Sequence, residues 1–149
     1  MLLIPPPIYG ATTLLVMWLL HKHFPIHCTT ASWPVTAGLV VAAGGLVMEV
    51  VAVLSFRKLK TTINPLRPDN TTTLATKGIY TLSRNPMYLG MAIILTGAAL
   101  MLRCLTPLMM PAIFCFVVTV MQILPEEKIL REKFGDDYER YSETVGRWI

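Results

Sequence analysis

Charge is scarce in this 149-residue chain. Charged residues make up 15% of it and hydrophobic residues 54%, and the mean hydropathy is positive at +0.56. A soluble domain of this size and composition would expose too much apolar surface to stay monomeric. The scarcity of charge therefore argues against a soluble protein and favours one that lies in a lipid bilayer.

Residues that bind metals are also few, and their spacing does not suggest a site. The cysteines Cys28, Cys104 and Cys115 are odd in number and form no C-x-x-C pair, so the sequence predicts neither a disulfide framework nor a zinc site. We expect them to pack as small apolar side chains. The three histidines lie between residues 21 and 27 and do not support a metal site.

Four apolar stretches predict the fold class. A membrane-spanning helix needs roughly 20 residues, so the second stretch fits well and the third and fourth are short or tilted. Only the letters RCLT separate the third from the fourth, which predicts a helical hairpin. The sequence predicts an all-α, multi-pass membrane protein with about four transmembrane helices, in the stretches 2–20, 35–56, 87–102 and 107–124.

Basic residues predict the orientation. Of the 13 lysines and arginines, all but Lys22 and Arg103 lie in the second connection or in the tail after the fourth stretch. Because basic loops stay on the cytoplasmic side, both termini should be cytoplasmic. A prokaryotic plasma membrane is favoured, with the endoplasmic reticulum as the alternative. The net charge of +4 indicates contact with anionic membrane lipids, and without a nucleic-acid module no nucleic acid is expected.

These features divide one predicted domain, 1–149, into four parts. Two N-terminal spans occupy 1–56, a cytoplasmic loop 57–86, the helical hairpin 87–124, and a cytoplasmic tail with an amphipathic helix 125–149. The loop and the tail are the segments that can carry chemistry on the aqueous side.

The third apolar stretch has a defined start. A residue before proline avoids the helical region and proline suits the first helical position, so Asn85 is the predicted N-cap and Pro86 the first helical residue. The positive end of this helix beside Arg84 is a plausible site for a carboxylate or phosphate. In the alternative interpretation, Arg84 lies among lipid headgroups and Asn85 only caps the helix.

The tail begins with a second helix start, in the letters LPEEKILREKFG. Glu126 and Glu127 fall in its first turn, where they either complement the helix dipole or bind a cationic or hydroxyl-rich ligand. Gly135 should end this helix, and Asp136 should cap the next one in a capping box with Glu139.

Two motifs together carry a resemblance. The segment LATKGIYTLSRNPMYLG, then an apolar hairpin, then PEEKILREKFGDDYERYSETVGRW resembles the superfamily of membrane-embedded isoprenylcysteine carboxyl methyltransferases and phospholipid methyltransferases. The likeness covers about residues 64–148. The family pattern usually has histidine where this chain has Asn85, which keeps the cap but removes a titratable group.

The resemblance implies S-adenosylmethionine as the cofactor, bound between the start of the third helix and the tail. By matching position, Glu126 and Glu127 would supply the acidic, catalytic groups. For Tyr80 and Tyr88 an interfacial aromatic belt is the alternative. The implied cofactor-binding residues, with Arg84 added from its place at the helix start, are Leu74, Ala75, Gly78, Tyr80, Arg84, Asn85, Pro86, Met87, Tyr88, Glu126 and Glu127.

Three residues are candidates for binding the acceptor. Gln122 stands where related prenylcysteine enzymes have an arginine that holds the substrate carboxylate, which weakens the case for a carboxyl acceptor. Arg147 or Arg84 could compensate, although Arg147 beside Trp148 is more simply an interfacial anchor. Glu49, midway along the second stretch, is either an acid that binds the acceptor or a residue buried between helices.

The predicted function is S-adenosylmethionine-dependent methyl transfer to a membrane-dissolved or amphiphilic acceptor. The alternatives are an NADPH-dependent membrane reductase of related fold and a non-enzymatic scaffold.

Small residues at Gly38, Ala42 and Gly45 should let the second helix approach a neighbour closely. We further expect the acceptor to enter sideways from lipid, through a gap between helices at small residues such as Gly90, Ala92 and Gly97.

Overall fold

The computed structural model describes residues 5–58 and 74–149, with side chains for 5–55 and 74–149. Within these residues all regular secondary structure is helical, which confirms the predicted all-α class for that part of the chain. The predicted cytoplasmic loop 57–86 lies partly outside the described residues, which do not include 59–73. The elements are α1 (Pro6–His23), α2 (Trp33–Lys58), a 3₁₀ turn (Gly78–Thr81), α3 (Pro86–Leu102), α4 (Leu105–Leu108), α5 (Met110–Val118), a π turn (Thr119–Ile123), α6 (Leu124–Phe134) and α7 (Asp136–Thr144).

Two helical stretches are long and apolar enough to cross a membrane, among the residues described. They are Trp33–Ser55, with 23 residues, and Leu105–Phe134, with 30. The helix α3 is also apolar but has only 17 residues. On α2 the side chains of Val40 and Val47 are 69% and 63% exposed. Apolar surface this extensive is stable against lipid and unfavourable against water, which supports a membrane location.

Glycines bring α2 and α3 into backbone contact. An added Cβ at Gly97 would lie 2.5 Å from the carbonyl oxygen of Gly38, and one at Gly45 would lie 2.7 Å from that of Gly90. The two glycines on each helix are two turns apart and pair in antiparallel order, so one seam joins the helices. The predicted close approach of Gly38, Ala42 and Gly45 is confirmed.

The same contacts show that the predicted gap at Gly90 and Gly97 is wrong. Both glycines are buried, and their Cα atoms face the backbone of α2. The absence of side chains at these positions serves close packing, so it leaves no opening toward lipid there.

A second face of α3 forms the hydrophobic core. Tyr88, Ala92, Leu95 and Ala99 recur at helical spacing and are all buried. They pack with residues of α1, α5 and the π turn, so α3 is central and carries buried residues on two faces. The other members of this core are Met17, Met91, Phe114, Val118 and Ile123.

The fourth apolar stretch continues into the tail without a break. The sequence predicted a separate helix beginning at Pro125, but Ile123 and Leu124 keep helical dihedral angles and α6 follows the π turn directly. A π turn shifts the hydrogen-bond pattern by one residue, which lets the chain accommodate a proline that has no N–H to donate.

The break after α6 lies at Gly135, as predicted. Gly135 has φ +48°, a conformation that glycine adopts more readily than other residues. It is both the C-cap of α6 and the N-cap of α7. The predicted cap at Asp136 is therefore wrong by one residue, since Asp136 is already helical. The predicted capping box is also absent, because Glu139 instead pairs with Arg131, with Nε to Oε1 at 2.6 Å.

One cysteine pair contradicts the expectation of no disulfide. Cys28 and Cys104 form a disulfide across 76 residues of sequence. The loop after α1 and the turn after α3 lie side by side, with the Thr29 N–H donating to the Arg103 carbonyl oxygen at 3.0 Å. Spacing in the sequence could not reveal this pair, because the packing of α1 against α3 creates it. Cys115 is free and half-buried, which agrees with its expected packing role.

Candidate active site

The starts of α3 and α6 meet at a half-buried carboxylate. The Tyr88 hydroxyl donates to Glu126 Oε1 at 3.1 Å, and Gln122 Nε2 donates to the same oxygen at 2.8 Å. Glu126 is half-buried and forms no ion pair with any residue that the structure describes. A carboxylate in this position is therefore available to a cationic ligand.

The neighbouring carboxylate has a different environment. Glu127 is only 7% exposed and lies between two guanidinium groups. Arg147 donates to it through Nε at 2.9 Å and Nη2 at 2.8 Å, and Arg84 Nη1 lies 3.3 Å from Oε1. These hydrogen bonds raise the pKa of Arg147 above its ordinary value. Glu127 thus binds two arginines, whereas Glu126 forms no ion pair with a residue in the described part of the chain.

The Arg84 guanidinium group has a hydrogen-bond donor without a partner among the described residues. Its Nη1 also donates to the Tyr138 hydroxyl at 3.1 Å, but its buried Nε has no hydrogen-bond partner within the described part of the chain. A buried N–H without a partner is uncommon in folded proteins and points to an anionic or polar group that completes the site.

Asn85 has the predicted position but a different contact. It is the N-cap of α3, followed by the buried Pro86 and the half-buried Met87, yet its side chain makes no capping hydrogen bond. Instead Asn85 Nδ2 donates to the Arg147 carbonyl oxygen at 3.1 Å, and Ser83 Oγ donates to the same oxygen at 3.4 Å. The interpretation that Asn85 acts only as a cap is therefore wrong.

The end of the chain folds back over these helix starts. The Arg84 N–H donates to the Gly146 carbonyl oxygen at 3.0 Å, and Trp148 Nε1 donates to Thr119 Oγ1 at 3.3 Å. Together with the bidentate pair of Arg147, these contacts fix residues 146–148 against α3, α6 and the π turn. Arg147 is thus more than an interfacial anchor.

The 3₁₀ turn before α3 lies against α7. Tyr80 is buried, and its carbonyl oxygen accepts a hydrogen bond from the Tyr141 hydroxyl at 2.6 Å. Burial raises the pKa of both phenols, that of Tyr141 to about 12, so both are protonated at neutral pH. Ala75 is buried and Leu74 half-buried, while Gly78, with φ +66°, is exposed with open space beside it.

Glu49 lies near the first turns of α3 but outside the hydrogen-bonded cluster. An added Cβ at Gly90 would lie 3.0 Å from the Glu49 backbone nitrogen. Glu49 is half-buried. No hydrogen bond or ion pair joins its carboxylate to another residue in the described ranges.

The structure adds three residues that sequence reasoning did not assign to the site. They are Ser83, which is fully buried, and the buried α7 residues Tyr138 and Tyr141. Buried tyrosines usually need a hydrogen-bond partner for the hydroxyl, so two tyrosines at helical spacing in the tail were a usable signal.

Comparison with known proteins gives the family. A family model described as phospholipid methyltransferase matches residues 33–137, more than half of the chain. The chain belongs to the phospholipid methyltransferase family. This family lies in the superfamily that also contains the isoprenylcysteine carboxyl methyltransferases, which confirms the resemblance. An uncharacterized protein from Haemophilus influenzae is 40% identical over 63 residues, which are 42% of this chain and all of that protein. No solved structure matches the chain.

Phospholipid methyltransferases are membrane enzymes, so membership favours methyl transfer over the reductase and scaffold alternatives. The family match extends from α2 to the start of α7 and includes Gln122, Glu126 and Glu127. It ends before Arg147. The segment that completes the Glu127 ion pairs therefore lies outside the part of the chain that the family model describes.

Proposed function

We propose that this protein catalyses S-adenosylmethionine-dependent methyl transfer to a membrane-dissolved or amphiphilic acceptor. The observation that carries the proposal is the Glu126 carboxylate, held by Tyr88 and Gln122 and free of ion pairs among the described residues. In a family of methyltransferases, such a group at two helix starts is suited to a positively charged cofactor.

The residues present fit both ends of the amino-acid part of this cofactor. The Glu126 carboxylate can accept hydrogen bonds from the positively charged ammonium group of the cofactor. The buried Arg84 Nε–H, which has no partner among the described residues, can donate a hydrogen bond to the cofactor's carboxylate. Glu126 contacts Tyr88 in the first turn of α3 and Arg84 directly precedes that helix, so both groups belong to the same end of α3. We propose that Asn85, Pro86, Met87 and Tyr88 hold the same part, and that Leu74, Ala75, Gly78 and Tyr80 line the adenosine.

S-adenosylmethionine supplies a methyl group on a positively charged sulfur, which is already a strong electrophile. The chain therefore has mainly to align the acceptor with that methyl group and to exclude water, a positioning effect that contributes about 7–11 kcal/mol in favourable cases. The buried side chains of Tyr88 and Ile123 exclude water, while Glu126 fixes the positive charge. Gln122, Arg147 and Glu49 remain candidates for orienting the acceptor.

We expect Glu126→Gln and Tyr88→Ala each to weaken cofactor binding without preventing membrane insertion. A charge-assisted hydrogen bond contributes about 1.5–3 kcal/mol, so affinity should fall roughly tenfold to more than a hundredfold. Calorimetry with S-adenosylhomocysteine in detergent measures this. Glu132→Gln, at an exposed position on the same helix, is the matched control. Wild-type affinity in both variants would show that the pocket is elsewhere.

We also propose four spans with both termini cytoplasmic. The disulfide supports this orientation independently of charge, because it lies just beyond the C-terminal end of α3 whereas the candidate site lies at its N-terminal end. A helix of 17 residues is about 25 Å long, so the two lie at opposite ends of the bundle. Disulfides persist in oxidising compartments, which supports an orientation with this end away from the cytoplasm.

Reporter fusions test the orientation. Fusions before Met1 and after Ile149 should report cytoplasm, and one near Thr30 should report the opposite side. Cys28 and Cys104 should react with a maleimide only after reduction. A cytoplasmic signal at Thr30 would eliminate the four-span arrangement.

A further inference from the structure

Gln122 is a fully buried side chain with half of its hydrogen-bonding capacity unused. Its Nε2 donates to Glu126 Oε1 at 2.8 Å, while its Oε1 has no hydrogen-bond partner among the residues described. Burying a polar atom without a partner is costly, so native proteins rarely leave one in this state. Its position beside Glu126 suggests that a ligand supplies the partner.

The local backbone explains why Gln122 points inward. It lies in the π turn Thr119–Ile123, where Met121 is 47% exposed while Gln122 and Ile123 are buried. A π turn inserts one extra residue into the helical pattern, and such turns are frequent at functional sites. Here the turn sends a polar side chain into the bundle at the level of the candidate cofactor site.

The charges around Gln122 Oε1 define the missing partner. The oxygen needs a hydrogen-bond donor, and the neighbouring Glu126 carboxylate favours a donor with positive charge. A ligand carboxylate would meet two acceptors there and would be repelled. The nearby guanidinium groups of Arg84 and Arg147 are directed at Glu127.

We propose that Gln122 Oε1 accepts a hydrogen bond from an ammonium or amine N–H of a bound ligand, and that Gln122 thereby orients this ligand beside Glu126. The inference rests on the proposed function. Two sources share this chemistry: the α-ammonium group of the cofactor and an amine on the methyl acceptor.

The variant Gln122→Met tests the proposal, because methionine has a similar length and lacks both the oxygen acceptor and the nitrogen donor of the amide. Calorimetry in detergent compares S-adenosylhomocysteine with 5′-methylthioadenosine, which keeps the nucleoside but has no ammonium group. If the cofactor is the source, the affinity for S-adenosylhomocysteine falls roughly tenfold to a hundredfold, and that for 5′-methylthioadenosine is unchanged. If the acceptor is the source, both nucleosides bind the variant as they bind wild type. Decylamine then binds the S-adenosylhomocysteine complex of the variant less tightly than that of wild type, while the affinity for decanoate is unchanged.

A second comparison separates direct contact from an effect through Glu126. In the Glu126→Gln background, Gln122→Met should lower affinity for the amine-bearing ligand further if its Oε1 contacts that ligand. No further loss would mean that Gln122 acts only by positioning Glu126, and the proposal would be overturned. Met121→Leu, at an exposed position in the same π turn, is the control and should bind as wild type.

The remaining outcomes are distinguishable. If wild-type protein binds both nucleosides and Gln122→Met matches it for every ligand, the inference about Gln122 is wrong and the proposed function stands. If folded wild-type protein binds neither nucleoside, the proposed function fails and the inference fails with it.

Discussion

Gly45→Ala is expected to lower the stability of the protein strongly, although it adds one methyl group. The new Cβ would lie 2.7 Å from the Gly90 carbonyl oxygen and 2.8 Å from the Ile94 backbone nitrogen. Both are backbone atoms, which cannot rotate away as a side chain can, so α2 and α3 would have to separate. Overpacking in a core costs about 1–3 kcal/mol, and we expect the upper part of that range here. The midpoint of thermal unfolding in detergent measures the effect.

The adjacent Gly44 provides a matched control. An added Cβ at Gly44 meets nothing within 4 Å. Because alanine favours a helix over glycine by roughly 0.5–1 kcal/mol, Gly44→Ala should be neutral or slightly stabilising. Equal unfolding midpoints for Gly44→Ala and Gly45→Ala would show that the glycine seam does not join the two helices as described.

Glu127→Ala is expected to release the end of the chain and to destabilise the fold. The substitution leaves Arg84, whose side chain is 13% exposed, and the more exposed Arg147 without their shared carboxylate. Removing one partner of a buried ion pair costs about 3–5 kcal/mol, because the remaining charge is buried without compensation. We expect a lower unfolding midpoint and faster tryptic cleavage after Arg147.

Two controls identify the cause. Glu132→Ala removes the exposed pair with Lys128 on the same helix and should change stability by about 1 kcal/mol or less. Glu126→Gln should weaken cofactor binding more than it changes the unfolding midpoint, because Glu126 forms no ion pair with the described residues. If Glu127→Ala and Glu132→Ala are equally stable, the buried cluster does not hold the C-terminal segment.

The sequence predicted the helices of the second half of the chain closely, because their limits depend on local chemistry. The pair Asn85 and Pro86 sets the start of α3 through the dihedral preferences of proline and its missing N–H. Gly135 ends α6 because glycine adopts positive φ at low cost. The sequence did not predict the π turn, because the dihedral angles there remain helical and only the hydrogen-bond partners change.

The sequence by itself determined the helical class, the uneven distribution of basic residues among the connections, the family motifs and part of the set of side chains near the site. Only the tertiary structure decided which of those side chains form ion pairs with one another. Glu126 and Glu127 are adjacent and identical, and they differ because Arg84 and Arg147, far away in sequence, both contact Glu127. The disulfide of Cys28 with Cys104 likewise depends on how helices pack. Local sequence fixes which backbone conformations are accessible, whereas the partner of a buried charge or thiol is fixed only when distant segments come together.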